Sequence, residues 1–318
     1  MNDILEVRNL HVHYVTEDET VKAVNGVNFA INSGESLGIV GETGAGKTTT
    51  ALAIMQLVPY PPGVIVDGEI IFKERNLIYN SNKENQEIRG NGISMIFQDP
   101  MTALNPIMTI GQQLSEVVIN HKKISKEEAK KQVIEMLEVV GVKGDRYNDY
   151  PHQFSGGMKQ RVVITMALLC NPELLIADEP TTALDVTIQA QVLEIIKKLR
   201  EKYNMSMMLI THDLGVVAET CDRVAIMYAG EIVEMGTIEE IFTNALHPYT
   251  RGLFLSIPKL EEDTDKLIPI EGQIPNSADL PCGCYFHPRC KYKQEICENI
   301  SPSVKGEGHI YKCHFSLF

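Results

Sequence analysis

An α/β fold with a central parallel sheet is predicted by three features of the chain. The apolar run Leu37-Gly38-Ile39-Val40 passes directly into the glycine-rich stretch Gly41-Glu42-Thr43-Gly44-Ala45-Gly46-Lys47-Thr48 and then into helix-forming residues. A second apolar run, Leu174-Leu175-Ile176-Ala177, ends in two adjacent acids, Asp178-Glu179, as a buried parallel strand does when it presents polar groups at its C-terminal end. Between these runs, Thr109 to Val140 carries helical periodicity, which marks an inserted helical subdomain. The 318 residues suffice for one large domain and a smaller module, expected at 1–240 (helical subdomain at about 100–170) and 241–318.

The opening Ile4 to Tyr14 alternates like a half-buried strand, and Val24 to Ile31 does the same after a polar loop, so two antiparallel strands are expected before the glycine-rich stretch. Tyr14 closes the first of them, where its ring stacks on a base or simply covers the rim of the sheet. The glycine-rich stretch has the G-x-x-x-x-G-K-[ST] spacing that cradles phosphates. Its glycines let the N–H groups of residues such as Thr43, Gly44, Ala45, Gly46 and Thr49 turn inward, and the helix starting near Lys47 adds the partial charge of its N-terminus. Lys47 is then the group that reaches the β- and γ-phosphates, and Thr48 the one that holds Mg²⁺.

Thr49 to Leu57 continues as a helix, Pro59, Pro61 and Pro62 end it, and Gly68 to Phe72 reads as a strand. Ser94 to Phe97 is a further buried strand that delivers Gln98 to the sheet edge, although an isolated Gln is also an ordinary surface residue. In the helical region Ser125 with Glu128 spells a capping box, Val133, Met136, Leu137 and Val140 share a face, and Gly141 supplies a C-cap. Ser155-Gly156-Gly157 opens another helix, running to Asn171-Pro172. Its N-terminus is a second phosphate candidate, and Ser-Gly-Gly is equally an ordinary cap and turn. Asp178 can bind Mg²⁺ through water and Glu179 can polarise an attacking water. Ala183-Leu184-Asp185 reads as a loop, Thr187 to Tyr203 as a helix, and Met207 to Thr211 as a strand ending at His212. Arg223 to Tyr228 and Glu231 to Glu234 form a hairpin about Ala229-Gly230. Residues 239–257 look helical with an interruption at Pro248, and 258–281 look irregular.

With 42 acidic against 29 basic residues and a net charge of −13, the surface on average repels nucleic acid and anionic lipid. No run approaches the roughly 20 apolar residues of a membrane span. Asp3 and Glu6 stand where a signal peptide needs basic and then apolar residues, so a cytoplasmic protein is expected.

The ordered set of Tyr14, the phosphate loop, Gln98, Ser155-Gly156-Gly157, Asp178-Glu179, and Asp185 with His212 resembles the ATP-binding cassette (ABC) ATPases over roughly residues 4–240. The resemblance implies a RecA-like core with an antiparallel β subdomain and the inserted helical subdomain, two such domains sandwiching two ATP molecules. It further implies Tyr14 at the adenine, Lys47 and the loop N–H groups at the phosphates, Thr48 and Gln98 at Mg²⁺, Asp178 beside that ion, Glu179 as general base and His212 at the γ-phosphate. Ser155 and Gly157 would act on the nucleotide of the opposite subunit, and Asp185 would lie at the dimer interface. Phe154 and Met158 depart from the family, where Leu and Gln are frequent; the contact through Ser155 should survive. Two more stretches, Gln98 to Pro106 and His247-Pro248-Tyr249-Thr250-Arg251, look like the ATPase subunits of di- and oligopeptide importers, whose relatives also import nickel, and Gly283 to Cys290 is similar to their C-terminal extension. Such subunits lie on the cytoplasmic face of the membrane, commonly pair with a different ATPase chain, and serve two permease subunits fed by an external solute-binding protein.

Of seven cysteines, Cys282, Cys284, Cys290, Cys297 and Cys313 crowd the last 37 positions, and a reducing compartment favours a metal or cluster site over disulfides. The spacing of Cys284, Cys290, Cys297 and Cys313 lacks the paired rhythm of a zinc ribbon and suits a bulky [4Fe–4S] cluster, whose charge Arg289, Lys291 and Lys293 could offset. The resemblance to dipeptide-importer ATPases supports the same four ligands, with Cys282 extra. Zinc, with His287, His309 or His314 in place of a cysteine, and a small core of reduced thiols stay open.

The sequence therefore leads to an ATP-hydrolysing subunit that energises peptide import. The alternatives are a soluble ABC ATPase of the translation or DNA-repair type, disfavoured by a single cassette and the acidic balance, and an iron–sulfur sensor that only switches on ATP, disfavoured by an intact Glu179.

Overall fold

The computed structural model describes residues 3–182, 185–256 and 269–315. Its elements in chain order are β1 (Asp3–Val15), β2 (Thr20–Asn32), β3 (Ser36–Val40), α1 (Lys47–Ile54), β4 (Gly63–Phe72), β5 (Arg75–Asn76), α2 (Asn82–Ile88), β6 (Ile93–Ile96), α3 (Pro100–Ala103), α4 (Ile110–Lys122) and α5 (Lys126–Val139). There follow α6 (Gly156–Leu168), β7 (Leu174–Asp178), α7 (Val186–Tyr203), β8 (Ser206–Thr211), α8 (Leu214–Thr220), β9 (Arg223–Tyr228), β10 (Glu231–Thr237), α9 (Ile238–Thr243), α10 (Pro248–Leu255), α11 (Glu295–Asn299) and β11 (Ile310–Tyr311). Ala183-Leu184 of the expected loop, residue 257 of the expected helix and residues 258–268 of the expected irregular stretch lie outside the described residues. The strands β1, β2, β4 and β5 form a sheet in the order β2-β1-β4-β5.

The chain divides into two compact units. The first comprises Met1–Leu5, Ala30–Ser36 and Ile71–Thr211. Here β6, β7 and β8 pair in parallel, with Ile96 beside Ala177 and Asp178 beside Ile210, and every residue of the three strands is buried. Two-sided burial explains why their sequences run apolar without alternation. The inserted helices α4, α5 and α6 bury Leu114, Val118, Val133, Leu137 and Val163. Lys123 in the left-handed region (φ 52°) ends α4, and the Ser125 hydroxyl restarts the chain as α5 by accepting the Glu128 N–H at 3.2 Å. A reciprocal capping box forms at Thr109 and Gln112, at the start of α4.

The second unit comprises Glu6–Phe29, Leu37–Ile70 and His212–Phe318. Its β3 pairs in parallel with β9, Val40 beside Ile226. The hairpin of β9 and β10 turns at Ala229 and Gly230, both with positive φ (47° and 83°), the geometry of a two-residue primed turn. The antiparallel β11 then adds to β10, with Glu234 beside Tyr311. Tyr228, Tyr249 and Phe286 meet at centroid distances of 4.6, 5.3 and 5.5 Å, joining β9, α10 and the C-terminal segment in one apolar core. No helix among the described residues is long and apolar enough to cross a membrane.

Candidate functional site

The phosphate loop belongs to the second unit and is shaped by two crowded glycines and one open one. A Cβ at Gly41 would stand 2.1 Å from the Met227 carbonyl oxygen, and one at Gly46 (φ 99°) 2.3 Å from that of Ala23. Only glycine lets the loop leave β3 and enter α1 so close to other backbone. A Cβ at Gly44 would meet nothing within 4 Å, so the middle of the loop faces the open space a phosphate requires. Lys47 is buried and its Nζ donates to the carbonyls of Gly41 and Glu42 at 2.7 and 3.0 Å. Ala45 is buried behind the loop, whereas Thr43, Gly44 and Thr48 are exposed. The Tyr14 hydroxyl lies 3.4 Å from Thr49 Oγ1, which sets the end of β1 beside the first turn of α1. His212 is exposed immediately after β8.

The acidic residues belong to the first unit. Asp178 closes β7 with 2% exposure, and Glu179 takes a left-handed backbone (φ 46°) while its N–H donates to the Ile210 carbonyl at 2.8 Å. That conformation is uncommon for a residue with a side chain and swings the carboxylate out of the strand. Two donors hold it there: Gln98 Nε2 at 2.9 Å and Thr182 Oγ1 at 2.8 Å, both on Oε2. With its Nε2 committed, Gln98 keeps its carbonyl oxygen as the atom to offer a cation. That oxygen and the Thr48 hydroxyl are hard donors of the kind Mg²⁺ takes. Gln160, on α6, donates to the Pro180 carbonyl and so ties α6 to the segment after Glu179. Its one sequence signal was its place five residues into the Ser-Gly-Gly helix. The Ser155 hydroxyl caps α6 by accepting the Met158 N–H at 3.4 Å, and Ser155 and Gly156 are exposed. A Cβ at Gly157 would meet Ile188 Cγ2 at 2.7 Å, and Asp185 caps α7 through the Ile188 N–H at 2.9 Å.

The C-terminal segment, in the second unit, brings Cys284, Cys290, Cys297 and Cys313 to one cavity that His247, Phe286, His287 and His314 also line. Cys282 is exposed and does not line that cavity. Burial pushes the Cys284 thiol up to about 11, reinforced by the neighbouring thiols, and burial likewise raises Cys290 and Cys313. Among the described residues no group of three or more His, Cys, Asp or Glu is disposed to hold a metal ion. The four thiols thus share a lining without forming a ligand set for a single metal ion, whose thiolates must converge to about 2.3 Å from one centre in the case of zinc.

The basic residues expected to offset a cluster's charge pair with carboxylates instead: Lys291 with Glu271 at 3.2 Å, Lys293 with Glu298 at 2.9 Å, and Arg289 with Glu42 of the phosphate loop at 2.7 Å. The Arg289 side chain is 4% exposed, so its charge needs a partner of its own. Burial alone would lower its pKa; the hydrogen bonds it donates to Glu42 and Tyr228 more than reverse this and raise it. His247, fully buried, caps α10 by accepting the Tyr249 N–H at 3.1 Å and also hydrogen-bonds the Lys312 backbone. Burial depresses its pKa to about 3. Tyr249 in turn accepts the Glu42 N–H at 3.1 Å.

Comparison with known proteins agrees with this arrangement. Residues 24–182 match the family model described as ABC transporter, and residues 233–297 match that of the oligopeptide/dipeptide transporter C-terminal region. The chain is 51% identical to the Dipeptide transport ATP-binding protein of Bacillus subtilis (98% of this chain, 95% of the relative). It is 54% identical to the Oligopeptide transport ATP-binding protein of the same organism (92% and 83%). Among solved structures, the dimeric post-hydrolysis state of an ATP-binding cassette bound to ADP and Pi superposes with a TM-score of 0.67 at 28% identity, over 74% of this chain and 98% of the other. The chain therefore belongs to the ABC transporter ATPases, in the branch of the oligopeptide and dipeptide transport ATP-binding proteins.

Proposed function

We propose that this ATPase binds and hydrolyses ATP to energise import of di- or oligopeptides through a membrane permease on whose cytoplasmic face it docks, paired with a second ATPase subunit that is a related chain. The observation that carries the catalytic reading is the Glu179 carboxylate, turned out of β7 on a left-handed backbone and held by Gln98 and Thr182. In this reading the N–H groups of Thr43, Gly44, Ala45, Gly46, Lys47, Thr48 and Thr49 receive the phosphates, Lys47 transfers its Nζ from loop carbonyls to them, and Tyr14 takes the adenine. Thr48 and Gln98 would hold Mg²⁺, with Asp178 beside it, and the bound ion offsets phosphate charge. Glu179 accepts the proton of the attacking water and His212 contacts the γ-phosphate. The exposed Ser155 and the half-buried Gly157, at the start of α6, would contact the nucleotide held by the partner ATPase, with Asp185 at that interface.

The domain division we infer is an ATPase domain at 1–240, its helical subdomain at about 100–170, and an extension at 241–318. In the extension Cys284, Cys290, Cys297 and Cys313 would hold a [4Fe–4S] cluster, which when bound supplies a structural cross-link among loops. Peptide cargo is supported by the names of the relatives and by the match at residues 233–297.

Glu179→Gln tests the core of the reading. The amide keeps an oxygen that can accept from Gln98 and Thr182 but loses the base. Turnover should fall by about 10²-fold or more with ATP affinity retained. Unchanged hydrolysis would remove Glu179 from this role.

A further inference from the structure

Glu42 stands second in the phosphate loop, and each of its polar groups is committed in a different direction. Its carboxylate takes both arms of the Arg289 guanidinium, NH1 at 2.7 Å and NH2 at 3.1 Å. Its N–H donates to the Tyr249 hydroxyl at 3.1 Å, and its carbonyl accepts from Lys47 Nζ at 3.0 Å. Arg289 is itself fixed: Nε donates to the Glu271 carbonyl at 3.1 Å, NH2 reaches the Ile270 carbonyl at 3.3 Å, and NH1 reaches the Tyr228 hydroxyl at 3.4 Å. A two-pronged guanidinium with a buried stem is a rigid positioning device that lysine cannot copy.

We propose that Arg289 of the C-terminal segment is a positioning residue for the phosphate loop, which it serves in two ways. It fixes Glu42, and through the Glu42 carbonyl the resting place of Lys47. It also neutralises a carboxylate that lies two residues from the open Gly44 cradle, where it would otherwise repel the incoming phosphates. The proposal rests on the nucleotide reading of that loop. Sequence gives no sign of the pairing, because Glu42 occupies a position the loop pattern leaves unspecified and its partner lies 247 residues away.

The test is nucleotide affinity of the full-length chain, measured by titration with ATP and Mg²⁺ at two salt concentrations. Arg289→Gln should weaken binding about tenfold, the size of a typical coupling between linked sites, and more at low salt. Adding Glu42→Gln should restore most of the loss, since the exposed charge is then gone. A folded Arg289→Gln protein that binds ATP within twofold of wild type overturns the proposal, as does a loss that Glu42→Gln leaves uncorrected. If Arg289→Gln does not fold, Arg289→Lys carries the test by hydrogen exchange without nucleotide. Amides 41–48 should exchange faster than in wild type, and unchanged exchange there overturns the clamp. Failure of wild type to bind ATP would instead sink the nucleotide reading, which the exchange experiment does not depend on.

Discussion

His309 Nε2 lies 2.7 Å from Oε1 of Glu234, a carboxylate with no exposed surface. Glu234 also accepts the N–H groups of Leu246 and His247 at 2.6 and 2.9 Å, so one side chain on β10 collects the entry to α10 and the segment leading to β11. Glu234→Ala strands two backbone donors and a histidine in the interior, each loss worth about 1–3 kcal/mol. A stability loss of about 3 kcal/mol is expected in urea melts. A loss under about 1 kcal/mol would show that water replaces these contacts.

His247 gives the C-terminal segment a pH dependence with a definite sign. Its folded pKa of about 3 lies below the ordinary 6.5, so between those values the unfolded chain binds the proton and the folded chain does not. Stability from the neutral ring is complete above pH 6.5 and is lost as pH falls, by about 2 kcal/mol at pH 5. His247→Asn, which can still accept from Tyr249, should melt with a shallower dependence between pH 7.5 and 5. Parallel curves for the two proteins would contradict the assignment.

Two glycines of the phosphate loop should fail differently when given a methyl group. Gly41→Ala drives a Cβ to 2.1 Å from the Met227 oxygen and should destabilise the fold by roughly 3 kcal/mol or more. Gly44→Ala meets no atom and pays only for its positive φ (83°), about 1 kcal/mol. It should instead reduce ATP affinity, because the methyl enters the space proposed for phosphate. Equal melting temperatures for the two variants would refute this division.

The cavity bounded by Cys284, Cys290, Cys297 and Cys313 sorts the tail cysteines. Anaerobically purified wild type should carry about four irons and four acid-labile sulfides per chain. Cys290→Ser should lose them and loosen the tail with ATP binding intact, whereas Cys282→Ser, at an exposed position, should keep them. Stoichiometric zinc without iron would recast the tail as a zinc module.

Much of this was legible where short-range chemistry decides. The phosphate loop, the acids at the end of β7, the Ala229-Gly230 turn and the Ser125 cap each depend on residues a few positions apart. Boundaries depended on less visible contacts. Strand β4 starts at Gly63 and not Gly68, because pairing resumes as soon as the proline turn ends, with Val15 N–H donating to Pro62 O at 2.8 Å. Helix α1 stops at Ile54, short of the expected Leu57, because Gln56 adopts a left-handed backbone (φ 52°). Least legible were the long-range polar pairs. Arg289 looked like a counter-charge for the cysteines beside it in sequence, and only the fold reveals Glu42 as its partner.

The two-residue β11 has an effect out of proportion to its length. By pairing Ile310 and Tyr311 with Met235 and Glu234, and with Lys312 N–H reaching the Val233 carbonyl at 2.8 Å, it occupies hydrogen-bonding groups that β10 would otherwise present to solvent. An open strand edge is a template for other chains. A protein truncated before residue 310 should therefore self-associate through β10, the edge that Ile310, Tyr311 and Lys312 cover.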